Sequence, residues 1–314
     1  MSQFSILYGL SGSEASKQAA ELAWKVAELS CGRVDAHHVI DSRAVWELLR
    51  NDKPGFIGSG PYVAAYDELT KQLRSIADKL CQKYEACTEE KAIAGQIFIE
   101  EGNPIELISK KSKNYDLVVV GHQPRDAMGT GARRHYVRFA VAEGLAHECP
   151  TALLVLQGEV EEWKSLTVLV SVDHLNYKFI EACIKFAGLM KIAPKVVALD
   201  SGVNEMPAAK FAADLKKALP DLADISVERF DVSGMTVEQR AGLWQHEEIE
   251  LDWAPDADTL LVLPTRRSGS ERLTVFDTAP DLFVRNLTLP SILMWPEEHT
   301  DLSIDNPKQM EATR

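Results

Sequence analysis

The apolar positions fall into short blocks that alternate between two spacings. Phe4 to Leu10 is a nearly unbroken apolar run cut off by Gly9 and the Ser11–Ser13 turn signal, which predicts a strand buried on both faces. Ala15, Ala19, Leu22, Ala23, Val26 and Leu29 then recur at helical spacing until Gly32. Ser11 with Glu14 offers a capping box, and Ser13 a rival cap. The alternation continues with a strand over Val34–Ile40, a helix over Tyr66–Tyr84 and a strand over Ala92–Ile99. A short helix follows, capped by Asn103 with Pro104 at its first position, and then a β-branched run over Leu117–Val120. After a glycine-bearing loop and a helix-like stretch, Ala152–Leu156 closes the first half.

Gln157–Ser165 reads as a polar linker, and the pattern then restarts. Leu166–Val172 is a strand ending at Asp173, and Phe179, Cys183, Phe186, Ala187 and Met190 form a helical stripe. Strands follow over Lys195–Leu199, Ile225–Val232, Thr259–Leu263 and Ser291–Trp295, with helices over Pro207–Leu219, over Val237–Leu251 and from Thr278–Asp281. Strands alternating with helices specify parallel βαβ units, so the expected fold class is α/β: two tandem five-stranded parallel sheets, each doubly wound. The expected boundaries are 1–157 and 165–297, with a flexible tail over 298–314. Ser42–Val63, with two prolines and three glycines, reads as one long irregular connection, its Trp46, Leu48, Leu49, Phe56 and Ile57 covering a pocket or a dimer face, or packing as a short helix.

Charge narrows the function. With 34 Lys and Arg against 47 Asp and Glu, the net charge is −13. Broad nucleic-acid binding is not expected of such a chain, whereas a nucleotide needs only local donors. No cleavable leader and no apolar run near 18 residues is read, so the expected location is cytoplasmic with no membrane insertion. The five cysteines show no C-x-x-C spacing and read as small buried hydrophobes. The histidines form no metal-ligand set, and neither a hydrolase elbow nor a P-loop occurs, so no catalytic residue and no metal ligand is assigned.

The stretch EGNPIELISKKSKNYDLVVVGH resembles the universal stress protein family. Glu101-Gly102-Asn103-Pro104, Ile108 and Asp116 to Gly121 match that family's segment before its fourth strand. The opening SILYGLSGSEASKQAAELAWKVAEL and closing CPTALLVL are similar to the family's first strand and helix and its last strand. TVLVSVDHLNYKFIEACIKFA repeats the opening in the second half. The resemblance implies the adenine nucleotide alpha hydrolase-like fold, a regulatory or stress-response role, and ATP or another adenine nucleotide as the ligand of some members. It also implies pairing of the two halves through Ala152–Leu156 and Ile292–Trp295, with a further homodimer and protein partners as options, and weak ATP hydrolysis at most.

The family's phosphate signature, G-x2-G-x9-G-[ST], is eroded in this chain. Gly121 supplies its first position, but Pro124 stands at the second and Ser11 replaces the first-strand aspartate. In the second half Asp173 is retained, while Pro264, Arg267 and about Asp277-Thr278 replace the glycines. Gly129, Gly131, Arg133 and Arg134 offer a substitute anion cradle, the alternative being a solvated loop. The candidate contacts are therefore Ser11, Val39, Gly121, His122, Gly129, Gly131, Arg133 and Arg134. Arg266 to Ser270 is a weaker second anion site, and Asp173 is a ribose or metal contact or a helix cap. The competing reading is a pseudo-dimer scaffold in which neither half takes a nucleotide.

Overall fold

A computed structural model describes residues 3–42, 45, 60–89, 91–123, 140–202, 208–218, 226–236, 239–240, 255–285 and 288–302. The first half runs β1 (Ser5–Gly9), α1 (Glu14–Ser30), β2 (Arg33–Ile40), α2 (Gly60–Thr88), β3 (Ala94–Glu101), α3 (Pro104–Ser112), β4 (Leu117–Gly121), α4 (Val141–Glu148) and β5 (Ala152–Leu156). The second runs β6 (Ser165–Ser171), α5 (Tyr177–Met190), β7 (Ala193–Asp200), α6 (Ala208–Ala218), β8 (Ser226–Asp231), β9 (Thr259–Ser268), β10 (Glu271–Thr274), α7 (Pro280–Arg285) and β11 (Ser291–Pro296).

Both halves carry the same strand order. It reads β3-β2-β1-β4-β5 in the first half and, from the far edge inward, β8-β7-β6-β9-β11 in the second. Each set of five is parallel, as the alternating pattern predicts. The two sets are not separate. β5 and β11 pair antiparallel, with Leu156 opposite Ser291 and Leu154 opposite Leu293, so both sheets join edge to edge in one eleven-stranded sheet. Every residue of these two strands is buried.

Helices cover both faces and cross the junction. On one face α1 and α5 contact each other, and their apolar stripes share a core with Leu154, Leu293 and Trp295. Trp295 lies edge-on to Phe179 and Phe186, with centroids 6.0 and 5.8 Å away. On the other face α4 packs against α7 over a second core that holds Leu153, Val155, Ile292 and Met294. Polar ties there bridge the halves. His147 Nε2 lies 2.7 Å from Asp281 Oδ1, and Arg285 reaches both Asp281 and the fully buried Glu143, at 2.8 and 3.4 Å.

Several local expectations change. α2 begins at Gly60, inside the stretch read as irregular, because Pro61 is suited to a first helical turn. Ser13, not Ser11, caps α1: its hydroxyl accepts from Ser16 N–H at 3.1 Å. Cys81, Cys149 and Cys183 are buried thiols, but Cys31 and Cys87 are exposed; Cys31 is the left-handed C-cap of α1, at φ 50°. Residues 298–302 are held to the body of the sheet, since Trp295 Nε1 donates to His299 O at 2.7 Å and Leu302 packs on the first core. The apolar residues read in the 42–63 loop and most of the helix read over Val237–Leu251 lie outside the described residues.

The junction predicts a stability difference. Leu154→Ala should lower the unfolding free energy by about 2–5 kcal/mol in urea titration, because it opens a cavity where both halves meet. Ile76→Ala, on an exposed face of α2, should change it by less than about 0.5 kcal/mol.

Candidate functional site

In an open α/β sheet the ligand crevice lies beyond the carboxyl ends of the strands, where the strand order reverses. In the first half that point falls between β1 and β4. Three of the eight candidate residues gather there. Ser11 follows β1, and Gly121 and His122 end β4. Val39 lies near the end of β2, half-buried and opposite Glu100 of β3. Gly129, Gly131, Arg133 and Arg134 lie outside the described residues.

A network of hydroxyls shapes the crevice. Ser11 N–H donates to Ser16 Oγ at 2.8 Å, and the Ser11 and Ser13 hydroxyls are 3.1 Å apart. Beneath them the buried Tyr8 phenol donates to Ser16 O at 2.6 Å. Burial pushes its titration above the usual tyrosine range, so it stays a neutral donor. Ser11 and Gly12 are exposed, and a Cβ built on Gly12 meets nothing within 4 Å. Among the described residues the amino end of α1 is therefore uncovered at Ser11 and Gly12, and the positive end of a helix dipole favours an anion.

Packing alone already requires a glycine at 121. A Cβ there would fall 2.4 Å from Ala15 C and 2.5 Å from Ser16 N. The end of β4 rests directly on the first turn of α1, and only glycine permits that approach. His122 is buried, and its N–H donates to Leu156 O at 2.5 Å, which extends the β4–β5 ladder. Both residues build the wall of the crevice.

The second half places its own side chains at the equivalent point. Asp173 accepts from Ser201 Oγ at 2.5 Å. It is not the helix cap, a role filled by Asn176, which accepts from Phe179 N–H. Arg266 pairs with Asp277 at 2.5 Å, and Phe276 is buried beside them. The cavity left is about 60 Å³, far below the roughly 300–1,000 Å³ of small-molecule pockets. The Arg266–Ser270 segment is a β-hairpin. β9 continues through Pro264, and Gly269, at φ 64°, opens the two-residue turn into β10. Pro264 is tolerated there because the β6 ladder has already ended at Val262. This hairpin differs from the loop expected over Arg266–Ser270. Its signal was the Gly-Ser pair between two polar runs.

A buried group sits below β2 and β3. The His37 side chain is fully buried, with Nε2 3.2 Å from Glu100 Oε2, and Lys111 reaches the same carboxylate at 3.1 Å. Burial, then the charge of Lys111, pushes the imidazole down to about 4 despite Glu100. Among the described residues no cluster of three His, Cys, Asp or Glu could hold a metal, and no helix is long and apolar enough to cross a membrane.

The universal stress protein family model matches residues 4–157. A universal stress protein from Archaeoglobus fulgidus DSM 4304 shares the fold, with a TM-score of 0.59 at 14% identity, over 93% of this chain and 98% of that one. Universal stress protein UspA from Lactobacillus plantarum aligns with 49% of this chain and 99% of its own, at 17% identity and a TM-score of 0.36. No curated protein matches the chain.

Two predictions follow from this geometry. Gly121→Ala forces β4 away from α1 and should cost about 1–3 kcal/mol in chemical denaturation. His37 takes up a proton more readily when unfolded, so folding stability should fall as pH drops from about 6.5 to about 4. The contribution is at most about 1.4 kcal/mol per pH unit, and His37→Leu should flatten that part of the stability–pH profile measured in urea.

Proposed function

We propose, for a chain that belongs through residues 4–157 to the universal stress protein family, a regulatory role in the response to stress. On this reading residues 1–157 and 165–297 are two domains, and the first takes an adenine nucleotide or a related anion while the second does not. The observation that carries it is the asymmetry of the two crevices. At the β1–β4 switch point the amino end of α1 is exposed at Ser11 and Gly12. At the corresponding point of the second half Arg266 is already neutralised by Asp277, and only about 60 Å³ remains. The phosphates would sit above Ser11 and Ser13, and the base toward the end of β2 at Val39. Gly121 and His122 would shape the wall behind them. Gly129, Gly131, Arg133 and Arg134 would supply further donors.

A second reading is favoured by the β5–β11 ladder, which joins the halves without any ligand. The chain would then be a scaffold that acts through protein partners. Calorimetry separates the two. ATP, ADP or AMP should give a saturable heat with the wild-type chain. Ser11→Glu places a carboxylate at the phosphate position and should weaken binding about tenfold or more, roughly 1.4 kcal/mol. The Arg133→Ala, Arg134→Ala double variant should weaken it too, whereas Asp277→Ala should leave it unchanged. A silent titration with all three nucleotides selects the scaffold.

A further inference from the structure

A cleft of about 880 Å³ opens between the two halves, on the face covered by α3, α4 and α7. One wall is α3 with its C-cap, contributing Ser109, Lys110 and Lys113. The other is the β9–β10 hairpin, contributing Arg267, Arg272 and Leu273. The cleft is unrelated to the crevices at the strand ends, and its size suits a small molecule.

Three features of its walls are unresolved within the protein. Arg267 and Arg272 stand directly opposite each other in the β9–β10 register. Like charges in that position repel at close range. Arg272 is also buried, with its side chain 3% exposed. Its Nη1 donates to Thr265 Oγ1 at 3.1 Å and its Nη2 to Glu298 Oε1 at 3.4 Å, but Nε has no partner among the described residues. On the facing wall Ser109 Oγ is buried and likewise has no partner among them. A guanidinium is the side chain best matched to the planar fork of a carboxylate or to a phosphate. An oxyanion between these groups would accept from Arg272, offset its repulsion with Arg267, and meet the Ser109 hydroxyl. Glu106, Glu148 and Glu271 also line the cleft. Glu271 is next to Arg272 in the chain, so the acids temper the positive field of the arginines without cancelling it.

We propose that the cleft between the halves is a binding site for a small oxyanion-bearing molecule, its carboxylate or phosphate received by the Arg267–Arg272 pair. Ser109 and Lys110 face that group, and Ile105, Leu273 and Pro150 offer apolar surface to the remainder. Residues of both halves are needed, so the site exists only in the joined sheet.

The test is calorimetry of the full chain at low ionic strength, with inorganic phosphate and with citrate in separate titrations. Saturable heat with either anion, weakened by Arg267→Ala and kept by Ser11→Glu, supports the site; phosphate alone then identifies a phosphate ligand, and citrate alone a carboxylate one. Arg267→Ala, at an exposed position, should weaken that binding about tenfold, and Lys110→Ala should weaken it less. Arg272→Gln should abolish it. Should the buried substitution prevent folding, Arg267→Ala carries the test alone. Ser11→Glu, at the first crevice, should leave this binding unchanged. Silence with both anions, undiminished binding in Arg267→Ala, or loss of binding in Ser11→Glu with Arg267→Ala unaffected would each overturn the proposal.

Discussion

The antiparallel pairing of β5 with β11 is the constraint on which the rest depends. A five-stranded parallel sheet ends in a strand whose outer N–H and C=O groups lack partners, and an apolar exposed edge invites association. Ala152–Leu156 and Ser291–Pro296 are both apolar and both buried. Each solves the other's problem. Because the pairing is antiparallel, equivalent helices meet on each face: α1 with α5, and α4 with α7. The two cores, the bridging ion pairs of Asp281 and Arg285, and the cleft beside the β9–β10 hairpin are all consequences of that one ladder. The outer strands, β3 and β8, carry Glu100, Glu101, Glu228 and Arg229 instead, which guards the remaining edges.

The same strand order is used differently in the two halves. In the first, β4 ends on a glycine that lets its backbone rest on α1, and Ser11 and Gly12 are exposed. In the second, β9 runs on for several residues beyond the corresponding position and turns back as β10. That extension brings Arg266 to Asp277 and fills the crevice from within. An aspartate at this turn, which would repel a phosphate, is instead the internal counter-ion of an arginine.

Much of the fold could be read from the chain because each strand and each helical stripe has its own period. Leu117–Val120 is an unbroken apolar run, Leu166–Val172 is interrupted only by Thr167 and Ser171, and α1 and α5 keep their apolar positions on one face. The junction was reached only through the family resemblance, since nothing in Ala152–Leu156 itself names its partner. The hairpin was missed for a related reason. Thr265–Ser268 is polar and follows a proline, so it reads locally as a loop; only the β11 and β10 ladders hold it extended. At the site, the pattern identified Gly121 but not its neighbour. The need for glycine there comes from Ala15 and Ser16, more than a hundred positions away, and close approach between distant segments leaves no periodic trace.

The covalent fusion of the two halves has an effect on how such a molecule can change over generations. When two identical copies associate, every substitution appears twice, and a change that harms one crevice harms both. Here a single gene encodes β5 and β11 separately, so the ladder holds them together while each flank varies alone. The filled crevice could therefore drift without disturbing the open one, and the symmetry of the backbone outlasts the symmetry of the chemistry.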